Sequence, residues 1–224
     1  MANNFNFVEF IGNLPANVLF GPYWGQLQII FTTIFVLSFS SCAIFLLVIT
    51  FGPSNIKFHV TEASLTKFKL SGNDTLDYKL EANITSRNPN KNVEVHYMRT
   101  TAIAWYKDNE FARVDLSSFD QGHKSTTFLN VGFEGKSVIR LKPKQLFEFN
   151  EETRVGIYND LAIDLDFSIT YKFGIHKSWP FEPPIVRCRR LSVPLISNGN
   201  SSSAPPFQHF KISRCRTGAF FVNR

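Results

Sequence analysis

The residues that could do chemistry are few and scattered. The histidines His59, His96, His123, His176 and His209 stand singly, and no pair has the i, i+4 spacing with which one helix face holds zinc. No Cys-x-x-Cys, Gly-x-Ser-x-Gly elbow, phosphate loop or dinucleotide glycine fingerprint occurs. Asp164 and Asp166 share one side of an alternating run, and two carboxylates on one face are the raw material of general acid-base chemistry. On a sheet, such positions are also the ordinary water-facing ones. The sequence therefore points to a chain without catalysis, metal or cofactor.

Two short segments have the character of loops. Asn88-Pro89-Asn90 reads as a turn, because Pro fixes φ and Asn tolerates left-handed geometry. The segment 118–124 lies between strand-like runs and combines an aromatic residue, a glycine and a basic end. Loops on a rigid scaffold are where binding concentrates, so Phe119, Gln121, Gly122, His123 and Lys124 are candidate ligand contacts. Three sequons, at Asn73, Asn83 and Asn200, are candidate glycosylation sites. Of the three cysteines, Cys42 falls in an apolar run, while Cys188 and Cys215 are compatible with one disulfide or with two separate thiols.

The elements that position these residues are mostly strands. Along 78–85, Tyr78, Leu80, Ala82 and Ile84 alternate with Lys79, Glu81, Asn83 and Thr85, which is the pattern of a half-buried strand with Asn83 on the wet face. Val93, Val95 and Tyr97 alternate next, so 78–85 and 93–97 read as antiparallel neighbours joined by the 87–92 turn. Further strands are expected at 101–106, 111–116, 125–133, 137–141, 161–172 and 186–194, with a short helix at 143–150 that has Pro in its first turn and Gly156 beyond its end. Many short strands with almost no helix predict an all-β, antiparallel sandwich of immunoglobulin or fibronectin type.

Ahead of the sandwich, residues 27–51 carry no charge and are dominated by Leu, Ile, Phe and Val. A hydrocarbon core about 30 Å thick needs roughly 20 such residues in a helix, so this run predicts a single transmembrane signal-anchor, with Tyr23 and Trp24 suited to the headgroup belt. The organisation expected is a cytosolic head at 1–26, the helix at 27–51, the sandwich at 52–195, and a flexible Ser, Asn and Pro-rich loop with a C-terminal segment at 196–224. Apart from Glu9, every charge lies from Lys57 onward, in a chain of 224 residues with 24 Lys plus Arg against 18 Asp plus Glu. That basic balance suits anionic headgroups or acidic polysaccharide more than nucleic acid, because the positive charge is spread along the chain and an anchor holds it at a membrane. The positive-inside rule alone places the basic domain in the cytosol, whereas the sequons and the cysteine pair favour the lumenal, then extracellular, side. We read it as extracellular.

The stretches Phe58-His59-Val60-Thr61-Glu62-Ala63-Ser64-Leu65, Asn83-Ile84-Thr85-Ser86-Arg87-Asn88-Pro89-Asn90-Lys91, Phe119-Asp120-Gln121-Gly122-His123-Lys124-Ser125-Thr126-Thr127 and the Cys188 region ending in Val193-Pro194-Leu195 together resemble the plant harpin-induced-like family of the late embryogenesis abundant group 2 superfamily. The resemblance implies a single-pass plasma-membrane protein, in some members at plasmodesmata, with a glycosylated extracellular sandwich and a part in defence or stress signalling. It implies no catalytic residues. The partner we expect lies in the apoplast, either a protein or an acidic cell-wall polysaccharide. The alternative is a tether that protects membrane and wall in dehydration without a specific ligand. Cys215 resembles a late cysteine of the family, which implies a Cys188–Cys215 disulfide. The chain departs from the family in having Gly52-Pro53 after the helix where many members have Arg-Pro, and in lacking a long basic head.

Overall fold

Residues 53–224 fold as two antiparallel sheets face to face, separate from a unit that ends at Gly52. The computed structural model describes residues 24–196 and 210–224. The head before Trp24, with Tyr23, and the run 197–209, with Asn200, lie outside the described residues.

The apolar run forms one helix, α1 (Trp24–Phe51). At 1.5 Å per residue its 28 residues extend about 42 Å, more than a hydrocarbon core requires. Its hydroxyls are turned back onto the helix: Thr32 Oγ1 donates to the Gln28 and Ile29 carbonyls at 2.9 Å, and Ser40 Oγ donates to the Leu37 carbonyl at 3.0 Å. Satisfied internally in this way, they suit an apolar surrounding.

In the sandwich, the first sheet has the order β10 (Ser213–Arg214), β1 (Lys57–Leu70), β2 (Thr75–Arg87), β6 (Thr126–Val138). The second has β4 (Asn109–Leu116), β3 (Val93–Tyr106), β7 (Ile157–Phe173), β8 (His176–Lys177), with β5 (Phe119–Gln121) also on β3 and β9 (Val186–Pro194) also on β7. One face of each strand enters a common core: Phe58, Val60 and Leu65 from β1, Leu80 and Ile84 from β2, Tyr97 and Ala104 from β3, Leu165, Phe167 and Ile169 from β7. The helix α2 (Pro143–Val155) starts on Pro143, ends on Gly156 with φ 78°, and contributes Phe149 to that core. Left-handed backbone is the geometry in which glycine ends a helix without a Cβ clash.

Four differences from the sequence reading have physical causes. β1 was not singled out, because Thr61 and Thr66 interrupt its alternation where the register with β2 shifts. The runs 93–97 and 101–106 are one strand, β3, carrying a bulge between Tyr97 and Arg99 that resets the alternation. Residues 78–85 and 93–97 are not a hairpin: β2 pairs with β1 and β6, while β3 pairs with β4, β5 and β7. The segment between them crosses from one sheet to the other. Finally, residues 210–224 belong to the sandwich, since β10 lies on β1 and Phe220 is buried among Phe58, Tyr97 and Phe167.

Candidate functional site

The crossing segment is built from buried asparagines. Asn88 Nδ2 donates to the Val93 carbonyl at 2.7 Å and to the Gly122 carbonyl at 2.9 Å. Its Oδ1 accepts from the Asn90 backbone and side-chain nitrogens, each at 3.0 Å. Asn90 in turn exchanges hydrogen bonds with the backbone of Ser54 and accepts from the Lys124 N–H at 2.9 Å. Asn88-Pro89-Asn90 therefore ties three chain segments together at one end of the sandwich.

This places the 119–124 segment differently from a free surface loop. Phe119 and Gln121 belong to β5, where the Phe119 ring stacks on Tyr97 with centroids 4.2 Å apart. Gln121 is 1% exposed. Its Oε1 accepts from Ser86 Oγ and the Tyr97 hydroxyl, both at 3.1 Å, and its Nε2 donates to the Ser86 carbonyl at 2.7 Å. Gln121 is thus a core cross-link between the sheets and is out of reach of a ligand. Gly122, His123 and Lys124 are exposed. The carbonyls of Gly122 and Lys124 accept from Asn88 and Arg87, so that stretch is held by its backbone while the His123 and Lys124 side chains point out. Only a buried amide already matched to Ser86 and Tyr97 could have warned of this, and both lie far from Gln121 in sequence.

Beside that stretch, a cleft of about 460 Å³ runs between Glu94, His96, Asp120, Thr170, Lys172 and Lys177. His96 Nδ1 contacts the Asp120 carboxylate, and Thr170 faces His96 in the strand register. A hydroxyl, an imidazole and a carboxylate thus line one cleft. The Thr170 Oγ1 is buried and makes no hydrogen bond to His96 or to any other group among the described residues. No group of three or more His, Cys, Asp or Glu able to hold a metal ion occurs among the described residues.

Asp164 and Asp166 do share the outer face of the second sheet, but they are not free carboxylates. Arg189 Nη2 lies 2.8 Å from Asp164 Oδ2, and Arg224 Nη2 lies 3.0 Å from Asp166 Oδ1. Asp164 is buried beneath Arg189, whose guanidinium sits 5.7 Å from the Trp105 ring centre. Burial pushes the Asp164 carboxyl up, and Arg189 and Arg187 pull it part of the way back.

A second cleft, also about 460 Å³, lies between β9 and the C-terminal segment that carries β10. Its cations are Arg189, Arg190, Lys211 and Arg214, and no carboxylate lines it. Arg190, at φ 59°, Lys211 and Arg214 make no salt bridge among the described residues. The two walls are joined by a disulfide between Cys188 and Cys215, with Cα atoms 4.2 Å apart, each next in sequence to one of the arginines. Sequence reasoning passed over this groove because its two walls are far apart along the chain.

The sequons occupy different settings. Asn73 is exposed in the β1–β2 turn, and Asn83, half-buried on the outer face of the first sheet, donates to Glu62 at 2.9 Å.

Residues 83–185 match the family model described as late embryogenesis abundant protein (LEA_2). Among Arabidopsis thaliana proteins, the chain is 36% identical to NDR1/HIN1-like protein 2 over 70% of this chain and 65% of that one. It is 40% identical to NDR1/HIN1-like protein 3 over 67% of this chain and 64% of that one. It is 35% identical to NDR1/HIN1-like protein 10 over 80% of this chain and 78% of that one. The chain thus spans just under two thirds of the length of the first two. A solution structure of another Arabidopsis thaliana protein overlays with a TM-score of 0.34 at 13% identity, covering 66% of this chain and 87% of that one, and the fold rests instead on the strand pairing above. The chain belongs to the NDR1/HIN1-like proteins of the LEA_2 family.

Proposed function

We propose that this is a plant stress and defence protein, anchored in the plasma membrane by α1, whose extracellular sandwich binds an acidic partner without catalysis. The partner class is a carboxylate-bearing wall polysaccharide, held in the groove of Arg190, Lys211 and Arg214. One observation carries the reading: three unpaired cations converge on a cleft that holds no carboxylate, on walls fixed to each other by the Cys188–Cys215 disulfide. Cations left unpaired on a rigid frame attract polyanions and lose little freedom on doing so. Family membership and α1, apolar and long enough to cross a bilayer, support the rest.

The test is binding of polygalacturonate by the full chain in lipid nanodiscs, with neutral dextran as control. The Arg190→Ala, Lys211→Ala, Arg214→Ala triple variant should weaken binding by about tenfold or more and flatten its salt dependence. A second triple, Lys67→Ala, Lys69→Ala, Lys136→Ala, takes the same charge from the outer face of the first sheet and should leave binding unchanged. Equal losses in both triples would reduce the effect to net charge and sink the groove.

A further inference from the structure

We propose that the end of the sandwich carrying Ser54 is a lipid-headgroup-binding surface with Ile175 as its apolar tip; this rests on the reading of α1 as a membrane span. Only Gly52 and Pro53 separate α1 from Ser54 in the sequence, and a link that short reaches at most about 11 Å. Asn90 fastens Ser54 into the sandwich through two hydrogen bonds, so the fold begins immediately after that link. That end of the sandwich is therefore the one tethered most closely, along the chain, to the proposed span.

Strand register identifies what else is there. Lys57 opens β1, and Lys124 donates its N–H to Asn90. Val93, which opens β3, pairs with Phe173, which ends β7, so the β7–β8 hairpin turns at this same end. Lys91, His123, Lys172 and Gly174 line one cleft there. Lys172 and Lys177 face each other across the hairpin. All five lysines are exposed and none makes a salt bridge among the described residues; the two carboxylates beside them, Glu94 and Asp120, lie against His123, at 3.6 Å, and against His96. By contrast, Lys107, in the turn at the far end of β3, is buried and paired with Glu148 and Glu152.

The hairpin supplies the apolar part. Its turn is made by Gly174, at φ 57°, and Ile175, which is 92% exposed. Trp179, 89% exposed, lies two residues beyond the end of the returning strand. A lone exposed isoleucine needs no explanation. At the tip of a two-residue turn ringed by unpaired lysines, with a tryptophan behind it, it matches how peripheral surfaces meet a bilayer: amines on phosphates, an apolar tip below them, an indole at the boundary. Phosphate-bearing headgroups are the ligand, and anionic ones should strengthen the contact.

The experiment uses the full chain with Cys42→Ser, reconstituted in phosphatidylcholine vesicles with or without one third phosphatidylglycerol. A polarity-sensitive dye is placed at Ile175→Cys, or at Asn73→Cys in the β1–β2 turn, and quenched with lipid spin-labelled near the headgroup. Quenching at position 175 should exceed that at 73 and rise about threefold with anionic lipid. Lys91→Glu, Lys172→Glu and Lys177→Glu together should abolish that rise. Equal quenching at 175 and 73, or indifference to charge reversal, overturns the proposal. A dye on the native Cys42, read with a deep spin label, separates the two readings. Quenching at 42 without quenching at 175 defeats the lipid contact and leaves the span standing, whereas no quenching at either defeats the span and the contact with it.

Discussion

Ser54 and Asn90 hold each other by a reciprocal pair of hydrogen bonds, Ser54 N–H to Asn90 Oδ1 at 2.6 Å and Asn90 Nδ2 to the Ser54 carbonyl at 2.8 Å. A side-chain amide here imitates a strand neighbour, offering one donor and one acceptor to a backbone that has just entered the fold. Asn88 donates to the Val93 and Gly122 carbonyls and accepts from the Asn90 N–H. The crossing between sheets thus has its polar backbone satisfied without a ladder, as burial requires.

Replacing either asparagine should therefore cost stability out of proportion to its size. Asn88→Ala leaves the buried Val93 carbonyl and the part-buried Gly122 carbonyl short of a donor and removes an acceptor from Asn90, and should lower unfolding free energy by about 2–3 kcal/mol. Asn90→Ala should cost about 1–2 kcal/mol, since its partner Ser54 is exposed and water substitutes in part. Thermal denaturation reads both, at roughly 2–4 °C per kcal/mol for a domain of this size. Unchanged midpoints would mean that the crossing is not held by these amides.

Gln121 gives a sharper contrast within a single stretch. Gln121→Ala would orphan the Tyr97 hydroxyl, whose proton burial already holds far more firmly than usual, together with the Ser86 pair. The loss should be about 2–4 kcal/mol. Lys124→Ala, which keeps the backbone bonds of that residue, should stay within about 0.5 kcal/mol. Urea denaturation of the two variants side by side decides it, and similar losses would contradict the division between a buried anchor and an exposed neighbour.

Gln121 and Asn88 also mark where the sequence stopped being readable. Alternation located β2 and β9 because along 75–85 and 186–193 each inward side chain is apolar and each outward one polar, which is all that periodicity can report. It could not separate two neighbours in one sheet from two strands in opposite sheets, since both produce the same alternation around a turn. Asn88-Pro89-Asn90 has turn chemistry in either case. Nor could it see that the polar residue Gln121 is interior, because its matching partners come from β2 and β3. The cationic groove failed for a related reason: Arg190 and Arg214 become neighbours through tertiary contacts, the antiparallel Arg187–Arg216 bridge and the disulfide that join their segments.

Acid should destabilise the sandwich through its exposed ion pairs. The hydrogen bond from Lys107 holds the Glu148 carboxyl below its ordinary range, and those from Arg224 and Arg99, with Arg224 dominant, do the same for Glu182. With the folded value below the unfolded one, the stabilisation is complete above the unfolded value and is lost as pH falls through the folded value. Asp164 runs the other way. Burial raises its carboxyl, so between its unfolded and folded values the native protein keeps a proton that the unfolded chain has released, and stability falls as pH rises through that window. Denaturation midpoints measured from neutral to acid pH should fall for the wild type. In Arg224→Ala the fall should be shallower, because the Glu182 contribution is gone, and in Asp164→Asn steeper, because the opposing one is gone. An identical slope in all three proteins would refute these assignments.

The Arg189–Asp164 contact can be tested as a cycle. Arg189→Ala strands a buried carboxylate and should cost about 2 kcal/mol, less than a wholly buried pair because the Arg189 side chain is 40% exposed. Adding Asp164→Asn to that variant should recover most of the loss, since a neutral amide is cheaper to bury than an unpaired charge. Additive losses in the double variant would show the two side chains to be uncoupled.

The disulfide and Phe220 hold the same segment by different means, and removing each should separate them. The bond between Cys188 and Cys215 closes a loop of sequence separation 27, for which chain entropy predicts about 3 kcal/mol of stabilisation. Phe220 lies 5.8 Å, ring centre to ring centre, from Phe58, and its backbone N–H donates to Asn55 Oδ1 at 3.0 Å, so the last residues of the chain close over the first strand of the sandwich. Cys188→Ser with Cys215→Ser should lower the denaturation midpoint yet leave Phe220 seated, because its contacts do not run through the sulfurs. Phe220→Ala should cost about 3–5 kcal/mol and open a cavity beside Phe58 and Phe167 with the disulfide intact. Hydrogen exchange distinguishes the two: the cysteine variant should lose protection first at Cys215 and Arg216, whose N–H groups bond to Phe58 and Arg187, and Phe220→Ala at Phe220 itself and in β1. Loss of protection throughout β3 and β7 in the cysteine variant would instead mean that the cross-link supports the whole core and not only the groove wall.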